Sequence, residues 1–426
     1  MPEPCRPTIL AGVALVDVTP SEGFAMSGFA ARTAAATGMH DPLTVRAVAV
    51  GDTAIVCADV IGLHEVSCRR IRERCSLQDD KVVVSSLHTH GGPVTMPGRL
   101  GDKCDVRYLS RLEDACVEAI ETAIESRRPA QLYSGLGTDP EVAQNRRHAK
   151  GRVDPNLPVL GIKAENGNWL AFIASYACHP VALGADNTLW TADYPGFVRQ
   201  KLEAAYPGAI GLFLPGCAGD TNTGHRASDS FEVGPSARRT FEEAERVGAL
   251  VAASALAAKL ERTPNANVSC AAGSVDLELE RRELAPLQQL AEKWAAESAA
   301  FPSRRALLQS WVKWTEIAAQ LPLSPWKAQV TVLNWGGIPI VALPGEIFAE
   351  TALDIRSGLG THSAFVLCFC NGCPGYIPPR PEYQYGGYEV NEAHRYYGMP
   401  ATFAPGSAER LVSLAHSLSK QIGVSK

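Results

Sequence analysis

The run Val82 to His90 (VVVSSLHTH) places two histidines two residues apart at the end of a β-branched stretch. Side chains on a strand alternate between faces, so the spacing predicts that His88 and His90 project from the same face. Gly91-Gly92-Pro93 then ends the strand and lets backbone or substrate come close. Paired imidazoles of this kind can offer nitrogen ligands to a divalent metal ion. The plainer reading is one hydrogen-bonded core histidine and one that packs.

Three further positions carry similar chemistry. His179 ends the apolar run Ile173 to Cys178 and precedes Pro180. Glu346 closes Leu343-Pro344-Gly345-Glu346 and is predicted to open a helix over 347–356, where an acid is also an ordinary first-turn residue favoured by the helix dipole. Tyr376 lies in a tract rich in glycine, proline and tyrosine, Cys370 to Glu389. Cys368, Cys370 and Cys373 give CxC and CxxC spacings, but no second CxxC pair completes a four-thiolate zinc site, and none is predicted.

The elements that must position these residues alternate. Short β-branched runs at 47–50, 54–58 and 81–84 read as buried strands, and Glu65 to Cys75 as a helix between them. From Tyr108 to Arg128 the stripe Leu109, Leu112, Cys116, Ala119, Ile120, Ala123 predicts an amphipathic helix ended by Pro129. Strands at 169–174, 210–214, 329–333, 338–343 and 365–369, and helices at 194–205, 237–262 and 408–422, complete the pattern. The segment 281–321 is helix-forming throughout, broken at Pro302, and carries Trp294, Trp311 and Trp314. It reads as a helical hairpin inserted in the core, as a lid or as a self-association surface. The expected fold class is α/β, with mixed β-sheets flanked by α-helices, in one domain over 1–426.

Bulk composition narrows the function. The 426 residues are 46% hydrophobic and 20% charged, with a formal charge of −5 and no basic run, which argues against a nucleic-acid partner. No apolar stretch reaches the ~18 residues of a membrane helix, so no stable membrane association is expected. The opening residues show no secretory signal, and the twelve scattered cysteines read as reduced thiols, which together point to the cytoplasm.

Taken in order, several segments resemble the neutral/alkaline non-lysosomal ceramidase family. They are AGVALVDVTP with the later GMHDPL, HTHGGP, the His179-Pro180 pair, LPGE, and GYIPPRPEY followed by GGYE. The likeness runs over nearly the whole chain. It implies a zinc ion held by His88, His179, Glu346 and Tyr376. It also implies roles for His90 and Tyr388 at the reacting carbonyl, and for Arg146, in Asn145-Arg146, in orienting polar substrate groups. Two departures stand out. The family's GDxSP serine corresponds to Asn222 in Cys217 to Thr223, and an amide is no nucleophile. The sequence also ends near the close of the catalytic region, before the family's immunoglobulin-like domain. Both shift the expected substrate from ceramide towards a smaller, soluble molecule.

The chemistry then expected needs no serine. A zinc-activated water attacks an amide carbonyl, with Tyr388 and His90 at the oxyanion and His90 or Asp220 passing the proton. Asn222 could add a hydrogen bond. Asp41, Asp59 and Asp193 read as orienters or turn formers, and His40 as structural. An ester, lactone or glycoside hydrolase on the same scaffold, and a non-catalytic metal-bearing binding protein, are the alternatives. Self-association stays open.

Overall fold

The computed structural model describes residues 8–101, 103–227, 229, 238–301 and 304–424. The opening residues, Ala237 and Pro302, on which the sequence suggested a signal-free start, a helix start and a hairpin break, lie outside them.

A nine-stranded sheet runs in the order Ile210–Pro215, Trp169–Tyr176, Leu157–Ala164, Arg128–Gly137, Ile9–Asp17, Thr44–Val50, Thr53–Ala58, Val82–Ser86, with Glu261–Arg262 beside Arg128–Gly137. Its interior is antiparallel, but the pair at each end is parallel. Alternation feeds two cores. Val45, Ala47 and Ala49 pack beneath helix Val106–Glu125, whereas Val48 and Val50 face the core that includes helices Tyr194–Ala205 and Phe241–Ala257. Helices thus cover both faces, as the sequence pattern predicts.

A second sheet, Val268–Leu277, Trp326–Trp335, Ile338–Ala342, Phe365–Leu367, packs against helices Ala349–Leu359 and Ser407–Gln421. Its last strand and the residues that follow it link both edges of the first sheet, through bridges between Gly216 and Leu367 and between Ser85 and Cys370. That junction gathers strand C-termini from both sheets at one place. Loops there can converge on a common ligand.

Several boundaries differ from the sequence reading. Helix Val106–Glu125 starts at Asp105, whose carboxylate accepts from the amides of Arg107 and Tyr108 at 2.9 and 2.8 Å. It stops short of Pro129 because Arg128 and Pro129 already pair with Ala11 and Leu10 in the sheet. The hairpin is present as helices Leu287–Ala300 and Arg305–Gln320. Its tryptophans surround the Arg395 guanidinium at 4.9, 4.5 and 5.5 Å from the ring centroids. Trp311 Nε1 donates to Tyr396 Oη and Trp314 Nε1 to the Met399 carbonyl, both at 2.8 Å.

Candidate metal centre and its surroundings

The strand that carries the first histidines stops at Ser86, so His88 and His90 are not same-face strand residues as their spacing suggested. The backbone turns instead at His88, which has φ 63°, a left-handed conformation uncommon outside glycine. The turn is held by the His88 amide on the Val60 carbonyl, 2.9 Å, and by His88 Nδ1–H on the Ile61 carbonyl, 2.6 Å. Phe369 stacks on the ring at 3.9 Å with an 8° interplanar angle. His179 is fixed in the same manner. Its amide donates to the Thr221 carbonyl at 3.0 Å and its Nδ1–H to the Ala218 carbonyl at 2.6 Å. Asp193 secures the loop beyond, accepting from the Ala182 and Leu183 amides at 3.1 Å each.

Because both Nδ1 atoms donate to carbonyls, both neutral rings present a bare Nε2 lone pair. Those two nitrogens stand 3.1 Å apart. Glu346 Oε2 lies 3.0 Å from His179 Nε2 and 3.7 Å from His88 Nε2, buried and without a hydrogen-bond partner. Glu346 Oε1 accepts from Tyr397 Oη. Glu346 does not open a helix. It sits in a two-residue strand, Glu346–Ile347, paired in parallel with Tyr376–Ile377 so that Glu346 and Tyr376 are opposite one another. Helix Ala349–Leu359 begins three residues later.

His90 completes the group. Its two ring nitrogens are buried and unpartnered, and the ligand atoms of His88, His90 and His179 all lie within 4.8 Å of one another. Arg32 anchors the His90 carbonyl at 2.7 Å, and Phe29 packs on the ring at 4.7 Å. Gly28 is required here: with φ 101°, a Cβ at this position would come 2.4 Å from His90 Nδ1.

Burial dominates the electrostatics. It drives His88 and His179 down to about 3, and His90 well below the usual imidazole range. All three rings are therefore neutral near pH 7, the state in which imidazole can ligate. Burial pushes Glu346 up, opposed by His88 and Arg146. Facing lone pairs, an orphaned carboxylate oxygen and the acceptor nitrogen of an unpartnered His90 form an acceptor-rich cluster, which a divalent cation would satisfy.

The other expected residues separate into two groups. Tyr376 and Tyr388 reach the cleft, ring centroids 5.7 Å apart. Arg146 Nη2 donates to Tyr376 Oη at 2.8 Å and to the Gly219 carbonyl at 3.0 Å, and its Nε to Glu389 at 2.9 Å. Asn222 lines the same cleft, but its amide is committed to its own loop. Its oxygen accepts from the Gly224 and His225 amides at 2.9 Å each, and its nitrogen donates to the His225 carbonyl at 2.7 Å. Asp220 does not line the cleft. It accepts from the Ala349 amide and Asn145 Nδ2, both at 2.8 Å, and burial pushes it up to about 6.

Asp59 receives Arg199 in bidentate fashion at 2.6 and 2.9 Å, and Asp41 accepts from the Ala192 amide at 2.9 Å, so both act in the framework. His40 stacks on Phe241 at 3.9 Å, a packing role. Cys368 and Cys370 bond carbonyls at 2.9 and 3.2 Å, and the one metal-type cluster among the described residues is that of His88, His90 and His179.

Sequence reasoning missed Phe369, stacked on His88, and three residues on the wall of this cleft of about 450 Å³ including its open mouth: Tyr397, Arg226 and Arg239. Tyr397 had only its place near the tyrosine-rich tract as a signal. The two arginines had none.

The family model for the neutral/alkaline non-lysosomal ceramidase N-terminal region matches residues 9–283. The chain belongs to that ceramidase family. The matched span includes His88, His90, Arg146, His179, Asp220 and Asn222, whereas Glu346, Tyr376 and Tyr388 follow it. Two solved structures extend the likeness. Neutral ceramidase from Pseudomonas aeruginosa superposes with a TM-score of 0.73 at 16% identity, over 99% of this chain and 75% of that one. A structure described as ceramidase complexed with C2 gives a TM-score of 0.73 at 15% identity, over 98% and 76%. The ceramidase fold therefore spans both sheets, and family membership makes the chain a hydrolase. No helix among the described residues is long and apolar enough to cross a membrane.

Proposed function

We propose that the chain is a zinc-dependent amidohydrolase acting on a small amide-bearing molecule, with the cleft as its active site and residues 1–426 as one catalytic unit. The observation that carries this reading is the meeting of two bare Nε2 lone pairs 3.1 Å apart with a partnerless carboxylate oxygen 3.0 Å from one of them. His88, His179 and Glu346 would hold the ion, with Tyr376 beside them. A zinc ion there would supply Lewis acidity and a bound water with its pKa lowered from ~15.7 towards ~7.

The protein's own groups do the rest. Phe369, Ile61 and Ala218 fix the two imidazoles, so their tautomer is set before any ligand arrives. Arg146 orients the Tyr376 phenol. Tyr388, on the cleft wall, would donate to the developing oxyanion, and one such donor is worth roughly 3 kcal/mol. His90, neutral and on the cleft wall, is the group suited to take the proton and deliver it to the leaving amine. Asp220, with both carboxylate oxygens engaged, is better read as framework. Asn222 offers no nucleophile, which favours direct attack by water. Cytoplasmic residence belongs to the same proposal, since the free thiols fit a reducing compartment.

The test is hydrolysis of a panel of amides, from short N-acyl amines to ceramide, and of the matching esters, before and after chelation. Amide cleavage that chelation abolishes and zinc restores is expected. Full turnover by the chelated protein would overturn the metal dependence, and cleavage of esters alone would overturn the amide assignment.

A further inference from the structure

Among the described residues the cleft wall carries three arginines, Arg146, Arg226 and Arg239, against a single carboxylate, Glu346, in a chain whose formal charge is −5. Arg146 is consumed by Tyr376, Glu389 and the Gly219 carbonyl. The other two guanidiniums differ. Arg226 is exposed, and its bonds among the described residues are through its backbone, the amide donating to Asp229 Oδ2 and the carbonyl accepting from the Asp229 amide, both at 3.1 Å. Arg239 is half-buried, and among the described residues its guanidinium has no hydrogen bond or ion pair. It lies 5.7 Å from the centroid of Phe29, and Phe29 packs on His90 at 4.7 Å. One aromatic ring therefore sets this charge beside the histidine cluster. Asp229, Asp193 and Asp186 act on Arg239 only at longer range, and Asp193 is occupied by three backbone amides.

A half-buried cation without an acceptor is a cost that a bound anion would remove. The planar guanidinium fork matches a carboxylate in bidentate fashion, and low-dielectric walls strengthen the attraction. We infer that the substrate carries an anionic oxygen group, a carboxylate in the simplest case, held by Arg226 and Arg239 while its amide lies at the histidine cluster. This rests on the amidohydrolase reading above and narrows it to N-acyl amino acids or amides like them. A neutral lipid amide would leave both guanidiniums unmatched.

The test compares kcat/KM for N-hexanoylglycine and its neutral isostere N-hexanoylglycinamide, using zinc-loaded wild type, the double variant R226Q/R239Q, and R239K. Wild type is expected to prefer the carboxylate by roughly tenfold or more, and the ratio to fall close to unity in the double variant. R239K, which keeps the charge but not the fork, should fall between them. R111Q, an exposed arginine on helix Val106–Glu125, should keep the wild-type ratio. Equal or faster cleavage of the neutral amide by wild type, or a preference that survives in R226Q/R239Q, overturns the inference. An N-palmitoylglycine arm tells a lipid source of the carboxylate from a soluble one. If neither amide is cleaved, the amidohydrolase reading fails, and calorimetric binding of N-hexanoylglycine decides the inference separately. Binding lost in the double variant, at unchanged melting temperature, upholds the anion site. Binding equal in both, or absent from wild type, overturns it.

Discussion

At His88 and His179 the decisive atoms are the ones that face away from the cleft. Each Nδ1–H is spent on a carbonyl at 2.6 Å, and that fixes where the Nε2 lone pairs point. His90 has no such tether, which separates its role from theirs. H90A is expected to keep its zinc and to lose turnover by roughly 10²-fold or more, in line with removal of a general acid–base. Elemental analysis of the variant alongside its kinetics checks this, and loss of the metal would make His90 a ligand instead. Tyr397 donates to the buried Glu346 carboxylate. Y397F should cost about 10- to 100-fold in zinc affinity, measured by competition with a chromogenic chelator, as for other groups that orient a ligand. Unaltered affinity would remove Tyr397 from the site. At Gly28 the Cβ of alanine would press on His90 Nδ1. G28A should therefore lower turnover while leaving zinc bound, and wild-type kinetics in G28A would show that the ring moves freely.

The helical hairpin supports the site from a distance. Trp311 and Trp314 hold Tyr396 and Met399, and Tyr397 between them reaches Glu346. The hairpin buttresses the segment that bears Tyr397. Glu283 helps to lock it, with Oε1 3.3 Å from His394 Nε2 and 3.1 Å from Arg395 Nη2. Burial alone would raise Glu283, but these partners draw it down to about 2. Over the window from about 4.5 to about 2 the unfolded chain takes up a proton that the folded one refuses, so this contribution to stability falls as the pH falls. E283Q should cost about 2 kcal/mol at pH 7, the scale of a charge-assisted hydrogen bond, and its deficit relative to wild type should close through that window. Melting curves at stepped pH check it, and a pH-independent deficit would contradict it. The hairpin itself was legible because long runs of helix formers and three tryptophans are local signals. Its docking was not, since Trp311 and Tyr396 are 85 residues apart. The same holds for the Glu346–Tyr376 pairing, a two-residue strand too short for any periodicity to reveal.

Across the whole molecule, the site forms where the end strand of the second sheet meets both edges of the first, at Gly216 and Ser85. The candidate ligands, separated widely in sequence from His88 to Tyr376, meet because their loops leave strand C-termini near that junction. The α/β class, most helices and the residues that meet at the cleft, His88, His179, Glu346 and Tyr376, could be read from the sequence. Strands such as Arg128–Gly137 and Val268–Leu277 could not, because their part-exposed faces break the apolar run. Nor could the turn at His88, whose positive φ depends on the Val60 and Ile61 carbonyls. The ceramidase fold extends over nearly all of this chain, and Asn222, which the resemblance sets at the family's serine position, is bound to its own loop; under the proposed function the chemical burden therefore falls on the metal cluster. Elemental mass spectrometry on protein purified without added metal, wild type beside H179A, tests that most directly. Near-stoichiometric zinc in wild type that disappears in H179A is the predicted result. Wild type that stays metal-free even after zinc is supplied would contradict the account.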